Sequence, residues 1–291
     1  PPPIVILIEE EKVKEEKEEE VVITSKPKLE VWLDDSKAMI LKPEYWNTLQ
    51  ELDFKSAAVM VDSSSSGWDT AWTTKDYEKV GRLASDRDIK LITTVWPEPK
   101  QSYFDTAKTK VIDLMKAGGS KILEFDTEFN WTPSKNTFST WIVAARKFLQ
   151  FIEGVKQEIP GLEMELTTFT YHAENSKTAK ITPHMDTLTV QAYSIRHRQG
   201  GVIVKWDDPV LGPGNIQKVS LDRAITIPGV KEGTVKVSVG LPAWDQLWPG
   251  HTEEEAMEVA KNISLNYSGV VVRSLRYWSS KWILGVKKNH Y

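Results

Sequence analysis

Cysteine is absent from this chain of 291 residues. Disulfide bonds, thiolate nucleophiles and cysteine zinc sites are therefore excluded. The five histidines show no pair at the His-x-x-x-His spacing that binds metal on a helix. We therefore expect no histidine metal centre and no cofactor. A protein without cysteine tolerates reducing and oxidising surroundings alike, so this absence does not indicate a compartment.

Long apolar runs and an excess of positive charge are also missing. No run approaches the ~20 apolar residues that span a bilayer, and the formal net charge is −4, with acidic and basic residues interspersed. We therefore expect neither a membrane nor a nucleic acid as partner. The Gly-x-Ser-x-Gly elbow of serine hydrolases is absent as well. With 40% hydrophobic and 27% charged residues, the composition is that of an ordinary globular protein.

The first 28 residues differ from the rest of the chain. They open with three prolines, and residues 9–20 hold eight Glu, three Lys and one Val. A segment of this kind usually stays solvated and weakly ordered, and it lacks the pattern of a secretory signal peptide. We interpret residues 1–28 as a tether to an upstream module, and residues 29–291 as one folded domain. Removal of the tether should spare activity.

Strand-like apolar runs alternate with helix-compatible stretches from residue 29 onward. The runs are 29–35, 56–62, 89–97, 121–129, 163–171, 187–194, 235–244 and 269–278. The helical stretches are 44–52, 75–87, 103–117, 134–158, 215–226 and 253–265, with Thr74 as a candidate cap and a capping box at 252–255. Eight strands connected by crossovers predict a single-domain (β/α)8 TIM barrel. An open doubly wound sheet is the alternative.

Two connections depart from this rhythm. The stretch after Tyr171 is short and polar, so a reduced helix is expected there. Residues 195–234 form the longest connection and contain Trp206. Long connections in compact domains are often functional, which favours this one as a wall of the substrate groove. A surface insertion without a role is the other interpretation.

Two carboxylates stand out on the fourth predicted strand. Asp126 and Glu128 are two residues apart at the end of an apolar run, so they point to the same side about 6.6 Å apart along the strand. Burying two such groups is costly without a function or a partner. One interpretation pairs them with a neighbouring Lys or Arg. The other is a coupled acid and base at the barrel mouth, where TIM-barrel active sites lie.

The remaining strand ends carry side chains suited to binding sugars. Carboxylates supply an acid, a base or a nucleophile, aromatic faces stack on sugar rings, and amides and phenols bond hydroxyl groups. The chain contains twelve tryptophans. The mouth candidates are Asp34, Asp35, Asp62, Trp96, Glu98, Trp131, Thr170, Tyr171, Gln191, Tyr193, Trp244, Asp245, Tyr277 and Trp278. No glycine-rich phosphate-binding loop follows the last two strands, which argues against a phosphorylated substrate.

Asp126-Thr-Glu128 resembles the Asp-x-Glu signature of barrel glycosidases that cleave N-acetylhexosamine polymers, namely glycoside hydrolase families 18 and 25. The longer family 18 motif, Asp-x-x-Asp-x-Asp-x-Glu, is matched by Lys121, Glu124, Asp126 and Glu128, of which only the last two are identical. Gln191-Ala-Tyr193 is similar to the Met/Gln-x-Tyr of the same family, and Trp278 stands where a tryptophan would form the pocket floor.

The family 25 opening, Asp-x-Ser-x-x-Gln, is not present, although Asp34 or Asp35 could stand in for its aspartate. The resemblance to the two families covers about residues 29–285 and depends on these short motifs.

The resemblance implies a retaining cleavage of a β-1,4 link. Glu128 would act as general acid and base. Asp126 would orient the substrate's acetamido group, whose own oxygen attacks the anomeric carbon, and Tyr193 would hydrogen-bond the same oxygen. Asp34 would lie beneath the pair and tune its charge. In a direct displacement, Asp126 or a first-strand aspartate would instead be the nucleophile. The other predicted substrate-binding residues are Asp62, Trp96, Glu98, Trp131, Tyr171, Gln191, Trp244 and Trp278.

The expected substrate is a polysaccharide, either peptidoglycan or chitin. The tether favours peptidoglycan by association, since it suggests a catalytic module of an endolysin-like or lysozyme-like enzyme fused to a cell-wall-binding module. We expect a monomer that acts outside the cell or in the cell-wall space.

Two other classes remain open. One is a silent barrel that only binds glycan, against which the intact Glu128 argues. The other is a metal-dependent enzyme acting on a non-sugar substrate, with Asp34, Asp62 and Glu128 as oxygen ligands. Activity that survives a chelator would exclude the metal-dependent enzyme.

Overall fold

Eight parallel strands close into a barrel in the order in which they occur along the chain. The computed structural model describes residues 28–63, 71–98, 101–127, 138–169, 178–193, 203–241 and 248–277. The strands are β1 (Lys28–Leu33), β2 (Phe54–Ser63), β3 (Lys90–Trp96), β4 (Ile122–Asp126), β5 (Glu163–Phe169), β6 (Thr187–Gln191), β7 (Lys236–Leu241) and β8 (Val272–Tyr277). The pairing of β1 with β8 closes the ring. The predicted TIM barrel is confirmed, and the open sheet is wrong.

Helices connect the strands along the outside. They are α1 (Lys37–Ile40), α2 (Pro43–Glu51), α3 (Thr74–Ser85), α4 (Gln101–Gly118), α5 (Phe138–Glu158), α6 (Thr178–Ile181), α7 (Asn215–Ala224) and α8 (Glu253–Leu265). The reduced helix expected after Tyr171 is α6, which continues into a 3-10 turn at Thr182–His184. The capping box at the start of α8 is confirmed. The cap of α3 is Thr73 rather than Thr74, because it is the Thr73 hydroxyl that accepts from the Asp76 amide.

The main apolar core lies between the strands and the helices. Next to the end of β4, Phe125 packs edge-on against Phe148 of α5 with ring centroids 4.6 Å apart, and both are fully buried. Between the helices α3 and α4, Gly81 lies so close to Gly118 that a Cβ on Gly81 would be 2.1 Å from the Gly118 carbonyl oxygen. The first contact packs α5 against β4, and the second packs α3 against α4.

Two irregular pairings redirect single side chains. The register of β2 and β3 shifts between Met60 and Asp62, so that Asp62 lies opposite Val95, a residue of the outer core. The register of β7 and β8 shifts after Val237, which pairs with Val272, while Ser238 pairs with Ser274. Arg273 is therefore the extra residue of a β-bulge. At such positions, a strict alternation of inward and outward residues predicts the wrong face, because the bulge interrupts the alternation.

The predicted tether lies outside the described residues except for Lys28, which begins β1. Within the part of the chain that the structure describes, no helix has the length and apolar composition needed to cross a membrane.

Candidate active site

Asp126 is the last residue of β4 and points into the barrel near its carboxyl end. Only 3% of the residue is exposed. Gln191, the last residue of β6, donates from Nε2 to Asp126 Oδ1 at 3.1 Å. The ladder between β4 and β5 continues past Asp126, since the Thr127 amide donates to the Thr167 carbonyl oxygen at 2.8 Å. Two of the predicted site residues, Asp126 and Gln191, are thus brought together from strands 65 positions apart in sequence.

Tyr193 follows Gln191 by two residues and lies on the same side of the chain as it leaves β6. It is 8% exposed and belongs to a small buried cluster inside the barrel with Trp32 and Ala58. Its ring lies over Gly240 of β7, where a Cβ would be 3.1 Å from Tyr193 Cε1 and 3.3 Å from its hydroxyl oxygen. The absence of a side chain at Gly240 therefore leaves the space that the ring occupies.

A second carboxylate, Glu124, lies one inward position deeper on β4. It is fully buried and accepts hydrogen bonds from Trp32 Nε1 at 2.7 Å, Thr94 Oγ1 at 3.0 Å and Thr167 Oγ1 at 2.9 Å. Glu124 occupies the inward position below Asp126, and Trp32 of β1 reaches it. Asp34 lies just after β1, and its predicted place beneath the acidic pair stays a prediction.

Arg276 of β8 neutralises part of this interior charge. Its guanidinium is fully buried and donates to Glu30 Oε2 from Nε at 2.9 Å and from Nη2 at 2.7 Å. It also pairs with Glu124 and Glu165, and it lies over the Trp32 ring, 5.0 Å from the centroid. We refer to Glu30, Glu124, Glu165 and Arg276 as the interior charge cluster. Typical TIM barrels fill these layers with branched apolar side chains.

Three carboxyl groups share the one guanidinium of this cluster, and the pKa of Glu165 reflects the imbalance. Burial raises the pKa of the Glu165 carboxyl well above its ordinary value of 4.5, and the charge of Glu30 raises it further, whereas Arg273 lowers it. Arg273 reaches Glu165 from the bulge in β8, with Nη1 at 3.4 Å from Oε1, and also binds Glu163 at 2.9 Å. A raised pKa favours the neutral form of Glu165, which reduces the negative charge held in the buried interior.

Sequence reasoning did not identify this cluster. The available signal was charge within the predicted strands: Glu30 in β1, Glu124 in β4, Glu165 in β5 and Arg276 in β8. The period-2 pattern would have placed each one inside the barrel. The pairing of these charged side chains depends on barrel closure, since Arg276 and Glu30 are 246 positions apart in sequence.

The other predicted residues that the structure describes take different places. Asp34 is half-buried just after β1, and Trp96 and Glu98 are half-buried at the end of β3. The indole nitrogen of Trp96 is buried, and among the described residues it has no hydrogen-bond partner. Asp62 instead faces α4, where Lys110 Nζ lies 2.8 Å from its Oδ1. The described partner of Asp62 thus belongs to the outer helix α4, and the role of Asp62 in substrate binding stays a prediction.

Several predicted site residues lie outside the described residues. These are Glu128, Trp131, Thr170, Tyr171, Trp244, Asp245 and Trp278. The assignment of Glu128 as general acid and base therefore stays a prediction, as do the proposed sugar contacts.

The long connection after β6 packs against the connection after β7. Trp206 stacks on His251 with ring centroids 3.7 Å apart and planes 5° from parallel. Trp248 meets Trp206 edge-on at 5.8 Å and donates from Nε1 to the Val204 carbonyl oxygen at 3.2 Å. Both connections follow the carboxyl ends of their strands and so lie on the mouth side of the barrel. This position is compatible with the predicted groove wall, and the wall itself stays a prediction.

Comparisons with known proteins identify the fold. No family model matches the sequence, and no curated protein matches it. Among solved structures, fungal β-1,4-galactanases are 13% identical with a TM-score of 0.55, over 89% of this chain and 91% of theirs. An endoglucanase from Pseudomonas stutzeri is 12% identical with a TM-score of 0.53, over 82% and 76%.

A family 39 glycoside hydrolase from Bacteroides cellulosilyticus WH2 is 10% identical with a TM-score of 0.53, and the match covers 86% of this chain. The match spans only 56% of the length of that enzyme. At these identities, the likeness establishes a shared barrel fold, and activity must be argued from the site.

Proposed function

We propose that this protein is a retaining glycoside hydrolase that cleaves β-1,4 links next to N-acetylhexosamines. The observation that carries the proposal is the buried Asp126 at the carboxyl end of β4, bonded by Gln191 of β6. Tyr193 lies two residues after Gln191, on the same inward side of the chain. Fold similarity to several glycoside hydrolases supports the same class, by analogy alone.

Each residue then has a distinct chemical task. Glu128 protonates the leaving oxygen and afterwards activates water. Asp126 orients and polarises the acetamido group, so that its carbonyl oxygen attacks the anomeric carbon. Gln191 keeps the Asp126 carboxylate in place, and the Tyr193 hydroxyl donates to the acetamido oxygen. The buried Trp96 indole N–H supplies a further donor at the end of β3.

Peptidoglycan is the polymer that we propose first. Residues 1–28 have the composition of a solvated tether, as expected of a catalytic module joined to a cell-wall-binding module. Chitin carries the same acetamido group and is the alternative substrate. Both polymers satisfy the acetamido chemistry assigned to Asp126 and Tyr193, so the choice between them depends on the rest of the groove.

The decisive experiment is mass spectrometry of the products that the full chain releases from purified peptidoglycan and from chitin oligosaccharides. We expect new reducing ends from peptidoglycan and slower cleavage of chitin. The Glu128→Gln variant should release at least about 100-fold less product, because the amide keeps the volume but cannot donate the proton.

Glu78→Gln, on the exposed face of α3, is the matched control and should behave as wild type. Turnover by Glu128→Gln close to that of the wild type would refute the assignment. Cleavage of neither polymer by the wild-type chain would refute the proposed function.

A further inference from the structure

Ala192 lies just after β6, between Gln191 and Tyr193, the two residues that the proposed function uses. It is fully buried, and its amide donates to the Gly240 carbonyl oxygen at 3.1 Å. This bond orients the peptide that joins it to Gln191. Its carbonyl belongs to the next peptide, which joins Ala192 to Tyr193. The partner of that carbonyl therefore affects how Tyr193 leaves the strand.

Gln217 of α7 supplies this partner. Its side-chain nitrogen Nε2 donates to the Ala192 carbonyl oxygen at 2.5 Å. Its side-chain oxygen Oε1 accepts from the Gly214 amide at 2.7 Å. One fully buried amide thus links the end of β6 to the residue at which the long connection turns into α7.

This arrangement uses both halves of an amide group. A leucine of similar volume could neither donate nor accept. A glutamate could still accept from Gly214, but it could donate to Ala192 only when protonated. Only an amide satisfies both backbone groups at neutral pH, and buried backbone groups left without partners are strongly unfavourable.

We propose that Gln217 is a positioning residue for the active site: by holding the Ala192 carbonyl, it fixes the direction in which Tyr193 enters the barrel. The inference depends on the proposed function for the role of Tyr193. Gln217 is fully buried on α7, so we assign it no contact with the substrate. It acts through the peptide that joins Ala192 to Tyr193, one peptide beyond Gln191, the partner of Asp126.

The first test is kinetic and uses the full chain with the polymer that the wild type cleaves. We expect Gln217→Leu to lower kcat about 10- to 100-fold, the usual consequence of displacing a reacting contact by about 1 Å, with a smaller change in KM. Leu221→Ala, a buried change one turn further along α7, is the control for destabilisation of that helix. It should lower the unfolding temperature without lowering kcat.

The second test separates the two bonds of Gln217. Gln217→Glu keeps the acceptor for Gly214, so it remains informative if Gln217→Leu does not fold. The ratio of its kcat to that of the wild type should fall as pH rises, because ionisation of the introduced carboxyl removes the donor to Ala192. A purely structural role would not give a pH-dependent ratio in a chain that stays folded across the range.

The third test does not require catalysis. We would place 3-fluorotyrosine at position 193 and record its fluorine NMR signal. Gln217→Leu should shift and broaden this signal, whereas Leu221→Ala should leave it unchanged.

An unchanged signal in folded Gln217→Leu would overturn the positioning role, and so would a shifted signal with wild-type kcat. Failure of the wild type to cleave any glycan would refute the proposed function alone, because the fluorine signal still tests the contact.

Discussion

The barrel interior has two levels that hold their carboxylates differently. In the interior charge cluster, Glu30, Glu124 and Glu165 surround the buried guanidinium of Arg276. One inward position closer to the mouth, Asp126 accepts from the neutral amide of Gln191. A cation deep in the barrel offsets charge that water cannot reach. Near the mouth, the described donor to Asp126 is the neutral amide of Gln191, which orients the carboxyl group by a hydrogen bond and adds no positive charge.

The largest effect should come from removing the cation of the deeper level. Arg276→Met leaves three carboxyl groups in a dry interior, and we expect a loss of about 3–5 kcal/mol or more in unfolding free energy. Urea or thermal unfolding monitored by circular dichroism measures it. Arg273→Met is the matched control, because the Arg273 side chain is 17% exposed and that of Arg276 is 0% exposed. Equal losses would contradict the special position of Arg276.

The carboxylate near the mouth should respond in activity rather than stability. Asp126→Asn keeps an oxygen that can accept from Gln191, so the unfolding temperature should change little. Turnover should fall about 100-fold or more, because the amide cannot stabilise the charge that develops on the acetamido group. Initial rates on the cleaved polymer measure this. A large loss of stability with near-normal specific activity would place Asp126 with the structural carboxylates instead.

A smaller effect is expected where Gly240 makes room for Tyr193. Gly240→Ala introduces a Cβ 3.1 Å from Tyr193 Cε1 and 3.2 Å from Gln191 Cα, so the ring or the neighbouring backbone must move by a few tenths of an ångström. We expect a decrease in kcat of about 3- to 10-fold. In the Tyr193→Phe background the decrease should be smaller, since the hydroxyl oxygen at 3.3 Å is gone. Identical decreases in both backgrounds would show that the phenol hydroxyl is not involved.

The smallest effect concerns pH and the deeper level. Because the pKa of Glu165 is raised in the folded chain, its neutral form stabilises the fold fully below its ordinary pKa of 4.5. This contribution is lost as pH rises through the folded-state pKa. The unfolding temperature of Glu165→Gln minus that of the wild type should therefore increase by a few degrees as pH increases. Calorimetry from pH 5 to pH 8 measures this difference, and a constant difference would contradict the raised pKa.

Local patterns predicted the eight strands and most of the helices, although α1 (Lys37–Ile40) was not among the predicted helical stretches. Each of the eight apolar runs became a strand, with ends displaced by a few residues, and Thr252 caps α8 as its spacing indicated. Local patterns do not predict the direction of the Asp62 side chain. Like Asp126, Asp62 lies at the end of an apolar run, but the register shift in β2 turns it towards Lys110. A bulge changes the facing of a residue without leaving a clear trace in a single sequence.

The sequence by itself determined the order of strands and helices, the parallel pairing of the strands, and the presence of Asp126, Gln191 and Tyr193 at strand ends. These features follow from short-range periodicity and capping, which neighbouring residues encode. Only the tertiary structure decided that Arg276 meets Glu30, Glu124 and Glu165, and that Gln217 holds the Ala192 carbonyl. Such contacts join distant positions through barrel closure and side-chain direction, and composition alone does not specify the partner of a buried charge.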